Sequence, residues 1–381
     1  MPKTTTSFFW TSLQVYLLLT INFAADTNVF VYASTTNNGE CDVSTNNDAF
    51  ALPARKKMPT TKLHNGVEMP LLSLGTAHAT FGQPHRESNK TFVGFQVEKT
   101  SRQIHLALQK GIRGFDTALM YGSQPQIGRV LAHWWMNGWL KNRDEIFLTT
   151  KVFHQPAPGF GLASNQQLNL AFMSPEDVTK QTEEHIEQCL KELGVGYIDL
   201  LLMHWPSMEG QSEEISRQRR IAAWRVFETF YERGWVRAIG VSNFSERHLQ
   251  QLMDDGAKVL PMVNQIEASP YLQFNDIVSY CQDNGIVVQS YSPLGSGVTD
   301  VKDNMLLKEF ASHHQKDVGQ IAFRYLIQKG YALAYLTNSE TRMESNQNVF
   351  DFLLSEEEMK QIDKLNRVDG GWGLPSPYDL P

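Results

Sequence analysis

From Lys62 onward the sequence alternates short apolar runs with amphipathic segments, and the alternation repeats eight times. The apolar runs occupy residues 71–76, 114–118, 146–152, 199–204, 237–243, 263–268, 287–291 and 333–337. Segments with a helical apolar stripe lie between them, among them 100–110, 178–193, 221–233, 245–253, 274–284 and 320–329. A chain that repeats strand and helix lays its strands parallel, because each helix carries the chain back across the sheet. Eight such units close into a cylinder. The expected fold class is therefore α/β, a (β/α)8 TIM barrel, and the ~250 residues such a barrel commonly needs fit within the 381 present.

Local signals agree with this reading. Ser174 before Pro175, Glu176 and Asp177 is an N-cap followed by proline and acidic residues in the first turn, and Ser355 with Glu358 repeats the capping box. Residues 62–70 carry Asn65-Gly66 between two short strands, the dipeptide that tolerates the positive φ of a tight hairpin. That hairpin should plug the bottom of the barrel. Residues 78–96 and 154–173 read as insertions, and both follow strand C-terminal ends, where loops of this architecture shape the active site.

The N-terminus reads differently. Lys3 precedes Phe8-Phe9-Trp10 and the apolar run from Val15 to Leu19, a secretory signal pattern with cleavage expected near Ala24-Ala25 or after Ala33. Residues 1–25 are expected to be a signal peptide or, if uncleaved, a signal anchor, residues 26–56 a disordered linker, and residues 57–381 the barrel. The leader implies a secretory, endomembrane or organellar location, with the cytoplasm as the alternative if it is not functional. Contact with a membrane is expected only through an uncleaved leader. The formal charge of −7 lacks the basic excess that neutralises nucleic-acid phosphates. The three cysteines, Cys41, Cys189 and Cys281, offer neither a disulfide framework nor a zinc spacing, so no metal is expected, and Cys189 and Cys281 read as buried thiols. A monomer is expected.

Polar groups that a hydrophobic barrel does not need stand where strands end. Asp116 follows Gly114-Phe115, Tyr121 comes five residues later, Lys151 follows Thr149-Thr150, and His204 follows the run from Leu200 to Met203. Any one of them alone would ordinarily be structural. Four ionisable groups from three successive strands can instead converge at one mouth of the cylinder.

The chain resembles an aldo-keto reductase from about Lys62 to Asn366. The matching segments are the run from Gly111 to Ala118 with Tyr121-Gly122, then Thr150-Lys151-Val152, then the run from Asp199 to Pro206, then the run from Ile239 to Phe244. The resemblance implies reduction of aldehydes or ketones to alcohols by hydride transfer from a nicotinamide cofactor. Tyr121 would donate the proton, Lys151 would lower the cost of releasing it, Asp116 would hold Lys151, and His204 would align the carbonyl oxygen. It also implies that Ser242, Asn243 and Gln265 contact the carboxamide, that Tyr291 stacks on the ring, that Ser292 and Leu294 lie at the pyrophosphate, and that Thr76 reaches the ribose side. Thr337, Arg342 and Asn346 fall at the adenosine end. There the family usually has a lysine that pairs with the 2′-phosphate, and this chain has Leu336. Arg342 keeps NADPH as the expected cofactor, with NADH as the alternative. Ala77 stands where family reductases often carry tryptophan, so Ala77 and Trp205 would line a fairly open pocket for a small carbonyl substrate, while His78 reads as an exposed loop residue. The competing reading is a non-catalytic, cofactor-binding regulatory subunit on the same barrel, against which stands the full set of catalytic residues.

Overall fold

The computed structural model describes residues 16–23, 27–34, 58–81, 92–152, 173–207, 211–297, 299–367, 371, 374 and 376–381. Eight strands form a closed parallel barrel: β1 Leu72–Gly75, β2 Gly114–Asp116, β3 Phe147–Val152, β4 Leu200–Met203, β5 Ile239–Ser242, β6 Val263–Glu267, β7 Val287–Tyr291 and β8 Ala332–Tyr335. They pair in chain order, and β8 returns to β1 through the register Leu333↔Leu72 to Tyr335↔Leu74. The ring is therefore the one expected from the eightfold alternation. Each strand is enclosed on both faces, so nearly all of its residues are buried, polar ones such as Asn264, Gln265 and Gln289 included.

The helices are α1 Thr100–Gln109, α2 Gln124–Met136, α3 Pro175–Leu193, α4 Glu213–Glu232, α5 Glu246–Asp254, α6 Asn275–Asp283, α7 Met305–His314, α8 Val318–Gln328, α9 Glu340–Ser345 and α10 Glu356–Asp363. The capping boxes at Ser174 and Ser355 form as the sequence predicts, and α3 ends on Gly194 in the left-handed region at φ 63°. Two helices exceed a simple strand-helix repeat: α7, inserted between β7 and α8, and α10, which follows α9.

The hairpin Thr60–Lys62 with Glu68–Pro70 turns at Gly66, whose φ is 89°. Its side chains Leu63 and Met69 are buried in the barrel core, and Asn65 Nδ2 donates to the Arg237 carbonyl, 2.9 Å away, just before β5. It closes the end of the barrel from which the strands begin, as expected. Beside it, Asp199 gathers three donors: Arg143 Nη2 at 2.7 Å, the Leu148 backbone N–H at 2.9 Å, and Arg237 Nη1 at 2.8 Å. This buried carboxylate ties the approach to β3 and the approach to β5 onto the start of β4.

Outside the barrel, Tyr16–Phe23 pairs antiparallel with Thr27–Ser34. The second of these strands falls where the sequence predicts a structureless linker. The run Val29-Phe30-Val31-Tyr32 supplies the β-branched and aromatic residues that favour strand, and the Ser, Thr and Asn content further along had masked it. The remainder of 1–57 and the second insertion, 154–173, except Met173, lie outside the described residues. Within the first insertion, Ala79–Phe81 pairs antiparallel with Phe92–Phe95, and residues 82–91 lie outside the described residues. Among the described residues no helix is long and apolar enough to cross a membrane. Cys189 and Cys281 are buried and free, as expected.

Removing the Asp199 carboxylate strands two guanidinium groups and a buried N–H. Asp199→Ala is expected to lower unfolding stability by about 3 kcal/mol or more in urea titration. A change within about 0.5 kcal/mol would contradict the latch.

Candidate active site

Most of the observed strands are shorter than the apolar runs, by up to three residues, so several polar residues stand just past strand C-terminal ends. Asp116 is the last residue of β2 and pairs in register with Thr149 of β3, one turn of pleat before Lys151. Lys151 Nζ reaches Asp116 Oδ1 at 2.6 Å and the Thr117 carbonyl at 2.9 Å. Both partners are buried, with side-chain exposures of 1% and 7%. The other carboxylate oxygen, Oδ2, accepts from Gln265 Nε2 at 2.7 Å, and the same amide nitrogen reaches Gln289 Oε1 at 2.7 Å. Gln265 is thus tied into the charged pair rather than standing apart beside it.

Tyr121 closes a short turn, Leu119–Tyr121, that leaves β2 and is capped by Gly122 at φ 66°. Its ring lies over this pair: Lys151 Nζ is 5.4 Å from the ring centroid, and the His204 imidazole meets the ring edge-on at 5.8 Å. His204 follows β4, and its ring lies nearly parallel to Trp205 at 6.3 Å. Burial, and next the Asp116 carboxylate, push the Tyr121 hydroxyl well above the ordinary phenol range. This differs from the expectation that Lys151 lowers it. The ammonium is already spent on Asp116, and burial pulls Lys151 below the usual lysine value, with Asp116 opposing the fall. The phenol is consequently protonated at neutral pH, the state a proton donor requires.

These residues open onto a cavity of about 800 Å³ at the C-terminal end of the barrel. Asp116, Tyr121, His204 and Trp205 line one part of it, and Ser242, Asn243, Gln265 and Tyr291 continue the wall. Ser242 Oγ donates to the Gln265 carbonyl at 2.8 Å. Asn243, held at φ 62°, donates from Nδ2 to the His204 carbonyl at 3.0 Å and accepts from the Tyr291 hydroxyl at 2.8 Å. The groove then runs past Ser292 and Leu294 to Thr337, Arg342 and Asn346 beside β8 and α9.

Two expected site residues do not line the cavity. Lys151 lies beneath it. The Thr76 hydroxyl is turned to the Asp116 carbonyl at 3.2 Å and to Ser123 Oγ at 3.1 Å, between Gly75 and Ala77, which do line the cavity. His78, expected to be exposed, is buried at 6% and bonded to Gln103 Oε1 at 3.0 Å.

The structure also adds residues that the sequence reading left out. Phe95, from the first insertion, lines the cavity and packs on Tyr121 at 4.8 Å, beside the space left by Ala77. Lys302 and Tyr335 line the far groove. Arg342 and Lys302 make no side-chain ion pair among the described residues, and the buried Tyr335 hydroxyl has no hydrogen-bond partner there. Unpaired cations and an orphaned phenol at the end of a long groove suit a phosphate-bearing nucleotide, which would carry both the charge and the acceptors they lack.

Comparison with known proteins agrees with this geometry. Residues 72–367 match the Aldo/keto reductase family. The glyoxal reductase of Bacillus subtilis is 33% identical over 321 residues, covering 84% of this chain and 97% of that protein. An uncharacterized oxidoreductase of the same organism, YtbE, is 34% identical over 307 residues, 80% of this chain and 91% of its own length. Among solved structures, an aldo-keto reductase of the silkworm Bombyx mori complexed with NADPH is 31% identical, with a TM-score of 0.67 over 82% of this chain and 88% of that one. The chain belongs to the aldo-keto reductase family, oxidoreductases that act on carbonyl and alcohol groups.

Proposed function

We propose that this chain reduces small aldehydes or ketones with NADPH, and that Tyr121 donates the proton to the carbonyl oxygen. The observation that carries this reading is the stack at the cavity floor, where the Tyr121 phenol rests over the buried Asp116–Lys151 pair and meets the His204 imidazole edge-on. The bound dihydronicotinamide would supply hydride to the carbonyl carbon. Ser242, Asn243 and Tyr291 would hold it, with the Tyr291 ring covering one face.

As hydride arrives, negative charge grows on the substrate oxygen. Tyr121 would be the donor closest to that charge, and His204 would fix the oxygen so that the phenol can reach it. The phenol is costly to ionise in its resting surroundings, because burial and Asp116 both oppose the tyrosinate. The ammonium of Lys151 offsets that cost at the moment of transfer, since a cation beneath the ring stabilises the anion that forms. Asp116 keeps Lys151 in place. Trp205 and Phe95 wall the substrate side, and Ala77 leaves it room. A small dicarbonyl of the kind implied by the glyoxal reductase relative fits this opening.

For the cofactor, Arg342 would grip the 2′-phosphate without help from position 336, where Leu336 is half exposed at 49%. A lone arginine retains discrimination because its planar fork can engage a phosphate through two N–H groups.

Tyr121→Phe is expected to lower the rate of NADPH oxidation with glyoxal or a small aldehyde by about 10²-fold or more, while leaving NADPH binding intact by fluorescence titration. Undiminished turnover would remove Tyr121 from the role. In thermal-shift titration NADPH should stabilise the wild-type protein more than NADH does. Arg342→Ala should weaken NADPH by roughly 10- to 100-fold and erase the difference, and Leu336→Lys should widen it. Equal shifts for both cofactors in the wild type would mean that Arg342 does not read the phosphate.

A further inference from the structure

Away from the cavity, two imidazoles and a carboxylate converge where α7 meets α10. His313 and His314 end α7, and Glu358 lies in the first turn of α10. His314 Nε2 is 2.8 Å and His313 Nδ1 is 3.3 Å from the same atom, Glu358 Oε1. One ligand atom from each of the three side chains lies within 4.8 Å of the other two. Around a metal with bonds of about 2.1 Å, neighbouring ligand atoms are roughly 3.0–3.4 Å apart. Two of the three edges are already close to that spacing.

The surroundings hold these groups in place. Glu358 Oε2 accepts from the Ser355 backbone N–H at 2.7 Å and the Ser355 hydroxyl at 2.9 Å, which fixes the carboxylate with Oε1 facing the histidines. The His314 ring packs on Phe352 at 5.2 Å, and the neighbouring Lys316 is paired with Asp351 at 2.7 Å. The C-terminal end of α7 presents its carbonyl dipoles to the same spot, which favours a cation. Mixed imidazole and carboxylate donors suit Zn²⁺ and its first-row neighbours better than Mg²⁺ or Ca²⁺.

We propose that His313, His314 and Glu358 form a binding site for a divalent transition metal, with Zn²⁺ as the fitting ion and water completing its shell, and that the metal clamps α7 to α10. None of the three residues lines the catalytic cavity, so the clamp acts apart from the chemistry. The helix it holds follows directly on the segment from Ser292 to Lys302 that walls the cofactor groove.

The test is calorimetric titration of the full chain, freed of metal with a chelator, against ZnCl2 at pH 7.5. One equivalent binding with micromolar affinity is expected, together with a rise in melting temperature. His313→Ala removes a side chain that is 72% exposed, so packing survives, and Glu358→Gln keeps a residue accepted in a capping box. Each should weaken Zn²⁺ at least tenfold, and His313→Ala combined with His314→Ala should abolish the thermal shift. Absence of saturable binding, or affinity unchanged in both single variants, would overturn the proposal, the latter because Zn²⁺ would then reside elsewhere on the chain.

Discussion

An ammonium buried in a barrel cannot stand alone, and Lys151 is 1% exposed. Its partner Asp116 lies on the adjacent strand, brought alongside by the register between β2 and β3. Removing either member would leave an uncompensated charge in the interior, at a cost of about 3–5 kcal/mol. The Thr117 carbonyl and Gln265 complete the coordination, so three strands converge on one charged group. Everything proposed for catalysis rests on this pair, because it places a cation beneath Tyr121 while holding its charge in check until an anion forms above it.

The cofactor groove depends on the same closure. β8 returns to β1, and the loops after β7 and β8 thereby form a wall continuous with the cavity floor at Asp116 and Tyr121. Asn243 shows how tightly the parts are joined. Its left-handed backbone turns the side chain so that it touches His204 on one side and Tyr291 on the other. A residue expected at the cofactor also links the His204 backbone to the Tyr291 ring across from it.

Much of this was legible in the sequence, for physical reasons. Enclosed parallel strands are mainly apolar, so the ionisable Asp116, Lys151 and His204 stood out near the ends of their runs. The Asn65-Gly66 turn and the serine caps act within a few residues and need no knowledge of distant contacts. What was not legible depends on meetings between remote segments. The partner of the Thr76 hydroxyl was decided by Ser123, and the burial of His78 by Gln103. Phe95 reached the cavity because its hairpin folds back over Tyr121. At the α7–α10 seam Glu358 is more than 40 residues from the adjacent His313 and His314, and the three follow no metal-binding spacing. The direction of the Tyr121 shift was missed because burial, which depends on the folded surroundings, is its largest cause and the Asp116 carboxylate adds to it.

The central claim is that Tyr121 and Lys151 act as one unit. A double-variant cycle of Tyr121→Phe and Lys151→Met, read by single-turnover NADPH oxidation at saturating aldehyde, tests it most directly. The account predicts that the double variant is scarcely slower than the slower single variant, because the ammonium has nothing to stabilise once the phenol is gone. Independent, multiplicative losses from the two substitutions would contradict it.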